Sequence, residues 1–208
     1  DLVVELDQAA GGGDGVGAHR AAIVANVLSG ASAHGLLRFS AFQNLRSDQR
    51  AEAGVGWVPD DRRIFPTLTV ERNLAIAGKK TRFRAWTLSE CFAVFSALEY
   101  LLRRECENLS GGEMQMVAIS RVLLGAPGLV LMDEPSQGLA PKVVQDVMRT
   151  VHRLKKEGVS VLLVEQHVNA ALDVADKVVV LDHGTVVHQG AAAEPRDDAA
   201  LCSRLLGT

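Results

Sequence analysis

Short apolar runs separated by stretches of helix length set the rhythm of this chain. Strand-like segments stand at Leu2 (LVVEL), Val55 (VGWVP), Leu129 (LVLMD), Val159 (VSVLLVE) and Lys177 (KVVVLD). Several run continuously apolar instead of alternating, as strands do when a sheet is covered on both faces, so the pattern predicts a mostly parallel sheet with helices packed on it. From Trp86 to Arg104 the period changes. In WTLSECFAVFSALEYLLRR the residues Phe92, Phe95, Leu98 and Leu102 recur at helical spacing, which predicts one helix with a single packing face and a break into loop before Leu109. The wider segment from Gly78 to Asn108 mixes basic, aromatic and helical residues between strands and reads as a helical subdomain, about 78–110, inserted in an α/β core. The tail EPRDDAALCSRLLGT reads as a short closing helix. With no internal repeat or low-complexity tract, the expected organisation is a single domain over residues 1–208.

Composition narrows the classes of function. At 208 residues and 48% hydrophobic content the chain can bury a substantial core. A net charge of −3 and a pI near 6.1 offer no bulk attraction for nucleic acid or an anionic membrane. The apolar runs fall well short of the roughly 18 residues of a membrane-spanning helix, and no charged-then-apolar leader opens the sequence, so a cytoplasmic protein is expected. Cys91, Cys106 and Cys202 are odd in number and widely spaced, which argues against both a disulfide framework and a zinc site. The chain opens at Asp1 and passes directly into LVVEL, so N-terminal strands preceding this sequence are expected to be missing from it.

Three stretches carry candidate chemistry. LMDEPSQGLAP places Asp133 and Glu134 at the end of an apolar strand that Pro135 stops. Ligands of doubly wound sheets bind at such strand ends, where an aspartate can hold Mg²⁺ and the next acid can orient or deprotonate a water. A plain turn is the competing reading, since Asp, Glu and Pro are common where strands end. In LSGGEMQ, Ser110 and Glu113 have the spacing of a capping box, followed by a helix with Met116, Ile119, Val122 and Leu123 as apolar positions. Capping does not explain Gly111 and Gly112, which weaken a helix and suit a close approach of backbone N–H groups to phosphate. The third stretch, GGGDGVGAHRAA from Gly11, is rich in the glycines of a phosphate loop.

Taken together with VPDDRRIFPTLTVERNL and LVEQH, the order and spacing of these motifs resemble the nucleotide-binding subunits of ATP-binding-cassette (ABC) transporters over nearly the whole chain. LSGGE resembles the signature of that family, and LMDEPSQGLAP, roughly 20 residues on, its Walker B segment. More narrowly, RRIFPTLTVERNL, SQGLAP and LLVEQH resemble the ATPases of branched-chain amino-acid and urea or short-amide importers. The resemblance implies a P-loop NTPase-like core and a cytoplasmic subunit peripheral on the inner face of the membrane. It further implies a dimer with a second ABC ATPase, identical or distinct, that encloses two ATP molecules, and transmembrane permease subunits met by the inserted helices. Asp133 would serve Mg²⁺ and Glu134 the hydrolytic water. Ser110, Gly111 and Gly112 would serve the γ-phosphate of ATP bound to the partner.

Against that pattern the glycine stretch supplies Gly12, Gly15 and Gly17, but Ala18 stands where the lysine belongs and His19 where the serine or threonine belongs. Both losses weaken the site, one removing a charge-assisted phosphate contact and the other a metal ligand. The glycine amides can still form a weak anion nest. Arg20, on a helix starting near Gly17, points about 200° away from position 18 and is a poor substitute. Gly13, Gly15 and Ala18 also fit a dinucleotide fingerprint, yet no acid follows at the required distance. A flexible surface turn left by a decayed site is the third reading. Other departures are Asp60 in place of a glutamine, Gln166 at the switch-histidine position with His167 after it, and Ala140 in place of an aspartate. The first two also look like the branched-chain subgroup. The reading carried forward is an importer ATPase with an impaired Walker A loop, the alternative being a non-hydrolysing scaffold that acts through its signature on a partner ATPase.

Overall fold

The computed structural model describes residues 22–27, 45–79, 81–165, 167–182, 185–198, 200, 201 and 203. Among these, six strands form one sheet: β1 (Ala22–Val27), β2 (Val55–Val58), β3 (Leu129–Asp133), β4 (Ser160–Glu165), β5 (Lys177–Asp182) and β6 (Thr185–Ala191), in the order β2-β3-β4-β1-β5-β6. The parallel portion is β2-β3-β4, with Val58 opposite Met132 and Leu131 opposite Leu162. β1 lies antiparallel between β4 and β5, and β6 is antiparallel to β5 with an irregularity at Val180/Leu181. The strands expected from Val55, Leu129, Val159 and Lys177 are therefore present, whereas LVVEL lies outside the described residues.

β1 was not foreseen. Its sequence AIVANV carries Ile23, Val24 and Val27, and the stiff χ1 of β-branched side chains favours extended backbone when strands are available on both sides. The helix expected to start near Gly17 does not extend through these residues.

Among the described residues eight α-helices accompany the sheet: α1 (Ser47–Glu52), α2 (Val70–Ala75), α3 (Leu88–Val94), α4 (Ala97–Leu101), α5 (Gly111–Leu124), α6 (Pro141–Lys156), α7 (Val168–Val174) and α8 (Ala193–Asp197), with a 3₁₀ turn at Cys106–Asn108. The two long ones clothe the parallel strands. Ile119 and Leu123 of α5 are fully buried, as are Val147, Val151 and Leu154 of α6, one stripe repeating every three to four residues against Val130, Met132, Val161 and Leu163. α6 stops at Glu157 and Gly158, whose φ of 83° is a left-handed turn suited to glycine.

The single helix expected over Trp86–Arg104 is instead two. Thr87 and Glu90 form a capping box that starts α3, and the chain leaves the helix at Phe95 (φ −119°, ψ 73°) before α4 begins. The reason lies in the packing. In an unbroken helix Leu102 would fall within about 40° of the Cys91–Phe95 stripe and Leu101 about 80° from it. With the break, Cys91, Phe95, Leu98 and Leu101 are all buried and Leu102 only partly so.

Candidate functional site

The site is built at the carboxyl ends of β2, β3 and β4. β3 ends at Asp133, and the chain then turns through Glu134, which holds a left-handed φ of 44° while its N–H donates to the Val164 carbonyl at 2.9 Å. A non-glycine residue in that region is uncommon and concentrates where surrounding structure imposes it. The following loop is pinned from below. β4 alternates, so the pattern that buries Val161 and Leu163 also buries Glu165, 1% exposed. Its carboxylate accepts from the Ser136 N–H at 2.9 Å and the His167 N–H at 3.4 Å. His167 Nδ1 lies 3.5 Å from Ser136 Oγ and 3.8 Å from the Glu165 carboxylate; the residue is the N-cap of α7 by position, its ring exposed and making no cap bond.

Among the described residues, Asp60, Asp133 and Glu134 gather at the strand ends. Burial pushes the Asp133 carboxyl above the ordinary carboxylate value, and the neighbouring Asp60 and Glu134 push it further the same way. Asp60 enters this group because Val58 pairs with Met132, which leaves Pro59 and Asp60 beside the end of β3. A carboxylate so placed gains from a cation. Among the described residues no three His, Cys, Asp or Glu side chains converge to hold a metal ion. Mg²⁺ is commonly held by one or two carboxylates together with substrate phosphates and water, and Asp133, crowded by two further acids, is a carboxylate that suits such a role.

The second half of the site is the start of α5. Ser110 Oγ accepts from the Glu113 N–H at 3.3 Å, and the Glu113 carboxylate accepts from the Ser110 N–H at 2.7 Å, so the capping box closes as the spacing predicts. Gly111 and Gly112 form the first turn. A Cβ on Gly112 would lie 3.1 Å from Val143 Cγ2, so this glycine also lets α5 approach α6 closely, a packing reason not visible in the sequence. A Cβ on Gly111 would first meet the Arg62 guanidinium, at 3.7 Å.

Arg62 joins the two halves. Its Nε donates to Gln115 Oε1 at 3.0 Å and its Nη2 to the Gln137 carbonyl at 3.4 Å, tying the loop after β2 to α5 and to the loop after Glu134. Asn73 holds that first loop in place. Fully buried, it accepts from the Phe65 N–H at 2.9 Å and donates to the carbonyls of Phe65, Leu68 and Thr69 and to Cys106 Sγ. Nothing in the sequence singled out Arg62, Asn73, Gln115 or Glu165, because their roles come from long-range neighbours. The one usable signal was Glu165, an acid at an inward position of β4. Gly12, Gly15 and Gly17, together with Ala18, His19, Arg20 and Gln166, lie outside the described residues. Ala140 is the N-cap of α6 and has no side chain with which to cap it.

Comparison with known proteins supplies the remaining context. The profile of the ABC transporter family matches residues 23–137, a span that begins after the glycine stretch. The high-affinity branched-chain amino acid transport ATP-binding protein BraG of Pseudomonas aeruginosa is 38% identical over 167 residues, covering 78% of this chain and 72% of that protein. The arginine transport ATP-binding protein ArtP of Haemophilus influenzae is 35% identical, covering 74% of this chain and 65% of its own. The probable branched-chain amino acid transport ATP-binding protein LivF of Archaeoglobus fulgidus is 31% identical, covering 70% and 63%. The chain thus spans slightly less than two thirds of the last two relatives. Among solved structures, the ATP-binding cassette MJ0796, dimeric in a post-hydrolysis state with ADP and Pi, superposes with a TM-score of 0.61 at 25% identity, covering 72% of this chain and 68% of that one. The ADP conformation of MJ1267, an ATP-binding cassette of an ABC transporter, shares the fold, with a TM-score of 0.59 at 23% identity over 79% of this chain and 73% of that one. A family match across more than half of the chain, with 38% identity to a transport ATP-binding protein, decides the affiliation: this chain belongs to the ABC transporter family.

Proposed function

We propose that this chain is the ATP-binding subunit of an ABC importer for branched-chain amino acids or related short amides, working peripherally on the inner face of the membrane. The observation that carries the reading is the meeting, through Arg62, of the loop after β2, the loop following Glu134 and the helix α5 that the capping box starts. BraG and LivF support the solute class, while the arginine and molybdenum transport relatives show that solutes vary across related ATP-binding proteins. The segment about 78–110 is the inserted helical subdomain that faces transmembrane permease subunits.

In this reading Asp133 would hold Mg²⁺, which would supply neutralisation of charge on the ATP phosphates. Glu134, fixed by its bond to Val164, orients or deprotonates the attacking water. Ser110 and the amides of Gly111 and Gly112 bind the γ-phosphate of ATP carried by a second ABC ATPase subunit, at a helix N-terminus suited to anions. The chain's own nucleotide depends on the amides of Gly12, Gly15 and Gly17 without the usual lysine and hydroxyl, because Ala18 and His19 replace them. It therefore serves a partner's ATP more effectively than its own. In the alternative, which the same two substitutions favour, the chain is a non-hydrolysing scaffold acting through its signature alone.

Calorimetry of Mg²⁺-ATP binding, comparing the chain with an Ala18→Lys, His19→Thr double variant, tests this. The variant is expected to bind at least about tenfold more tightly, a difference of about 1.4 kcal/mol. Equal affinities would show that the loop is not impaired. Binding by neither would remove the chain's own nucleotide site from the proposal and leave the scaffold reading.

A further inference from the structure

The edge of the sheet opposite the strand-end acids holds a cavity that the nucleotide-site reading does not use. It opens at the amino ends of β3 and β4, with a volume of about 80 Å³. Phe83, Trp86, Pro127 and Val159 wall it, and Gly128 and Gly158 supply the backbone between them. The ring of Phe83 lies so close to Gly54 and Gly128 that a Cβ on either would strike it, whereas a Cβ on Gly158 would meet no atom beyond its chain neighbours within 4 Å. The space is open at Gly158. Trp86 is 3% exposed, and the Arg153 guanidinium lies 4.6 Å from the centre of its ring. The other two lining residues, Arg84 and Glu157, are charged and meet each other at 3.1 Å. Neither depends on that contact alone. Arg84 also pairs with Glu90, and Glu157 also pairs with Arg153 at 2.9 Å, while Arg153 lies 4.0 Å from Glu90. The contact between Arg84 and Glu157 can therefore open with each side chain keeping a partner, at small cost because the guanidinium is exposed.

We propose that this cavity binds a free α-amino acid with a branched aliphatic side chain. Size and charge both point there. The volume is about half the roughly 150 Å³ that holds benzene in an engineered protein cavity, so the apolar walls suit a branched group of about three or four carbons and exclude an aromatic ring. Among the described residues the ion pairs at the mouth join two cations, Arg84 and Arg153, to two anions, Glu90 and Glu157. A lone carboxylate or a lone ammonium finds as much repulsion as attraction there, whereas a zwitterion finds a partner for each charge. Its α-carboxylate accepts from Arg84, still held by Glu90, and its α-ammonium donates to Glu157, still held by Arg153. The side chain then lies against Phe83, Trp86 and Val159. None of the strand-end acids, the first turn of α5 or the loop following Glu134 lines the cavity, so this is a second site. Its meaning rests on the importer reading above: in an importer of such solutes, the site lets the ATP-binding subunit register solute already delivered to its own side of the membrane.

Intrinsic fluorescence tests the assignment, because Trp86 forms a wall and Trp57→Phe leaves it as the sole tryptophan. Leucine, isoleucine and valine, added to the full chain without nucleotide, are expected to change the emission saturably with a Kd of about 1 mM or below. Glycine, which lacks the apolar body, and phenylalanine, which exceeds the space, bind at least about tenfold more weakly. Isocaproate and isopentylamine, each carrying one of the two charges of leucine, are weaker by about tenfold as well. Arg84→Gln and Glu157→Gln each weaken leucine by about tenfold with a nearly unchanged melting temperature, since what they remove from the unliganded chain is a surface ion pair. The ligand series on the parent chain stands whether or not those variants fold. Absence of a saturable change with leucine up to about 20 mM overturns the proposal. So does glycine binding as tightly as leucine, which would leave only exchange of surface charges. Equal binding of N-acetylleucine amide, in which both charges are blocked, also overturns it and would make the cavity a seat for an apolar side chain of a protein partner. Undiminished leucine affinity in Arg84→Gln has the same force. No ATP enters this titration: if leucine binds while neither chain of the calorimetric comparison binds Mg²⁺-ATP, the site stands and the nucleotide reading has failed, and if leucine does not bind, that reading is untouched.

Discussion

Asp133 shows how much a single side chain owes to its surroundings. In the sequence it is an acid before a turn; in the fold, burial and two further acids hold its carboxyl above the ordinary value of 3.8. A carboxyl with a raised folded pKa binds its proton more tightly folded than unfolded, so its ionised form opposes folding. The opposition is absent below the ordinary value and grows as pH rises through the raised one. Without added cation, Asp133→Asn should therefore melt above the parent chain at pH 7, with the gap narrowing as pH falls towards 4; thermal melts across that range check it. A gap that stays constant with pH would mean that the Asp133 carboxyl titrates alike in the folded and unfolded chain. Asn73 gives the opposite lesson. Its chemistry is unremarkable in the sequence, yet its amide accepts from the Phe65 N–H and has four acceptors within reach of its two N–H donors. Sequence reading named Asp133 because its residue type announces chemistry, and passed over Asn73 because amide partners up to 33 positions away cannot be read from spacing.

At the scale of elements, caps were the most legible feature and helix continuity the least. Ser110 and Glu113 close the box that their spacing predicts, while the box of Thr87 with Glu90 at α3 is seen only in the structure. The break at Phe95 escaped because Phe92, Phe95, Leu98 and Leu102 fit an unbroken period; only the need to bury Leu101 shows why the helix divides. α6 begins less well. Its N-cap is Ala140, exposed, with Pro141 in the first turn and no acid there. Replacing alanine with a side chain that accepts from the first-turn N–H groups stabilises a helix by about 1 kcal/mol. Ala140→Asp should thus raise stability by about that amount, or about 2–4 °C in melting temperature for a chain of this size. Thermal unfolding at pH 7 measures it, and an unchanged or lower melting temperature would show that the loop after Glu134 resists the capping geometry.

The whole molecule is organised around a core that joins sheet, α5 and α6. Cys91 lies fully inside it, and burial pushes its thiol up to about 11; burial also raises that of Cys106. Neither is poised to react as a thiolate. In a Cys202→Ser background, thiol labelling of the native chain at pH 8 should be far slower than that of the unfolded chain and should track global unfolding as denaturant rises. Rapid native labelling would mean that the region around α3 opens independently of the sheet. Much of this architecture was legible beforehand. Apolar runs located β2, β3, β4 and β5, although β2 and β4 alternate buried with less buried positions, and LSGGE with LMDEP pointed to the family because each motif is short and local. The strand Ala22–Val27 was not legible, since its neighbours lie more than 100 positions away in the chain. Nor were the fork of Arg62, the inward carboxylate of Glu165 and the contact of Gly112 with Val143. Sequence by itself determined what depends on local order: residue chemistry, the caps, the runs that become strands and the motifs that mark the family. Tertiary structure alone decided which groups meet, because distance in space is set by packing that no local pattern encodes.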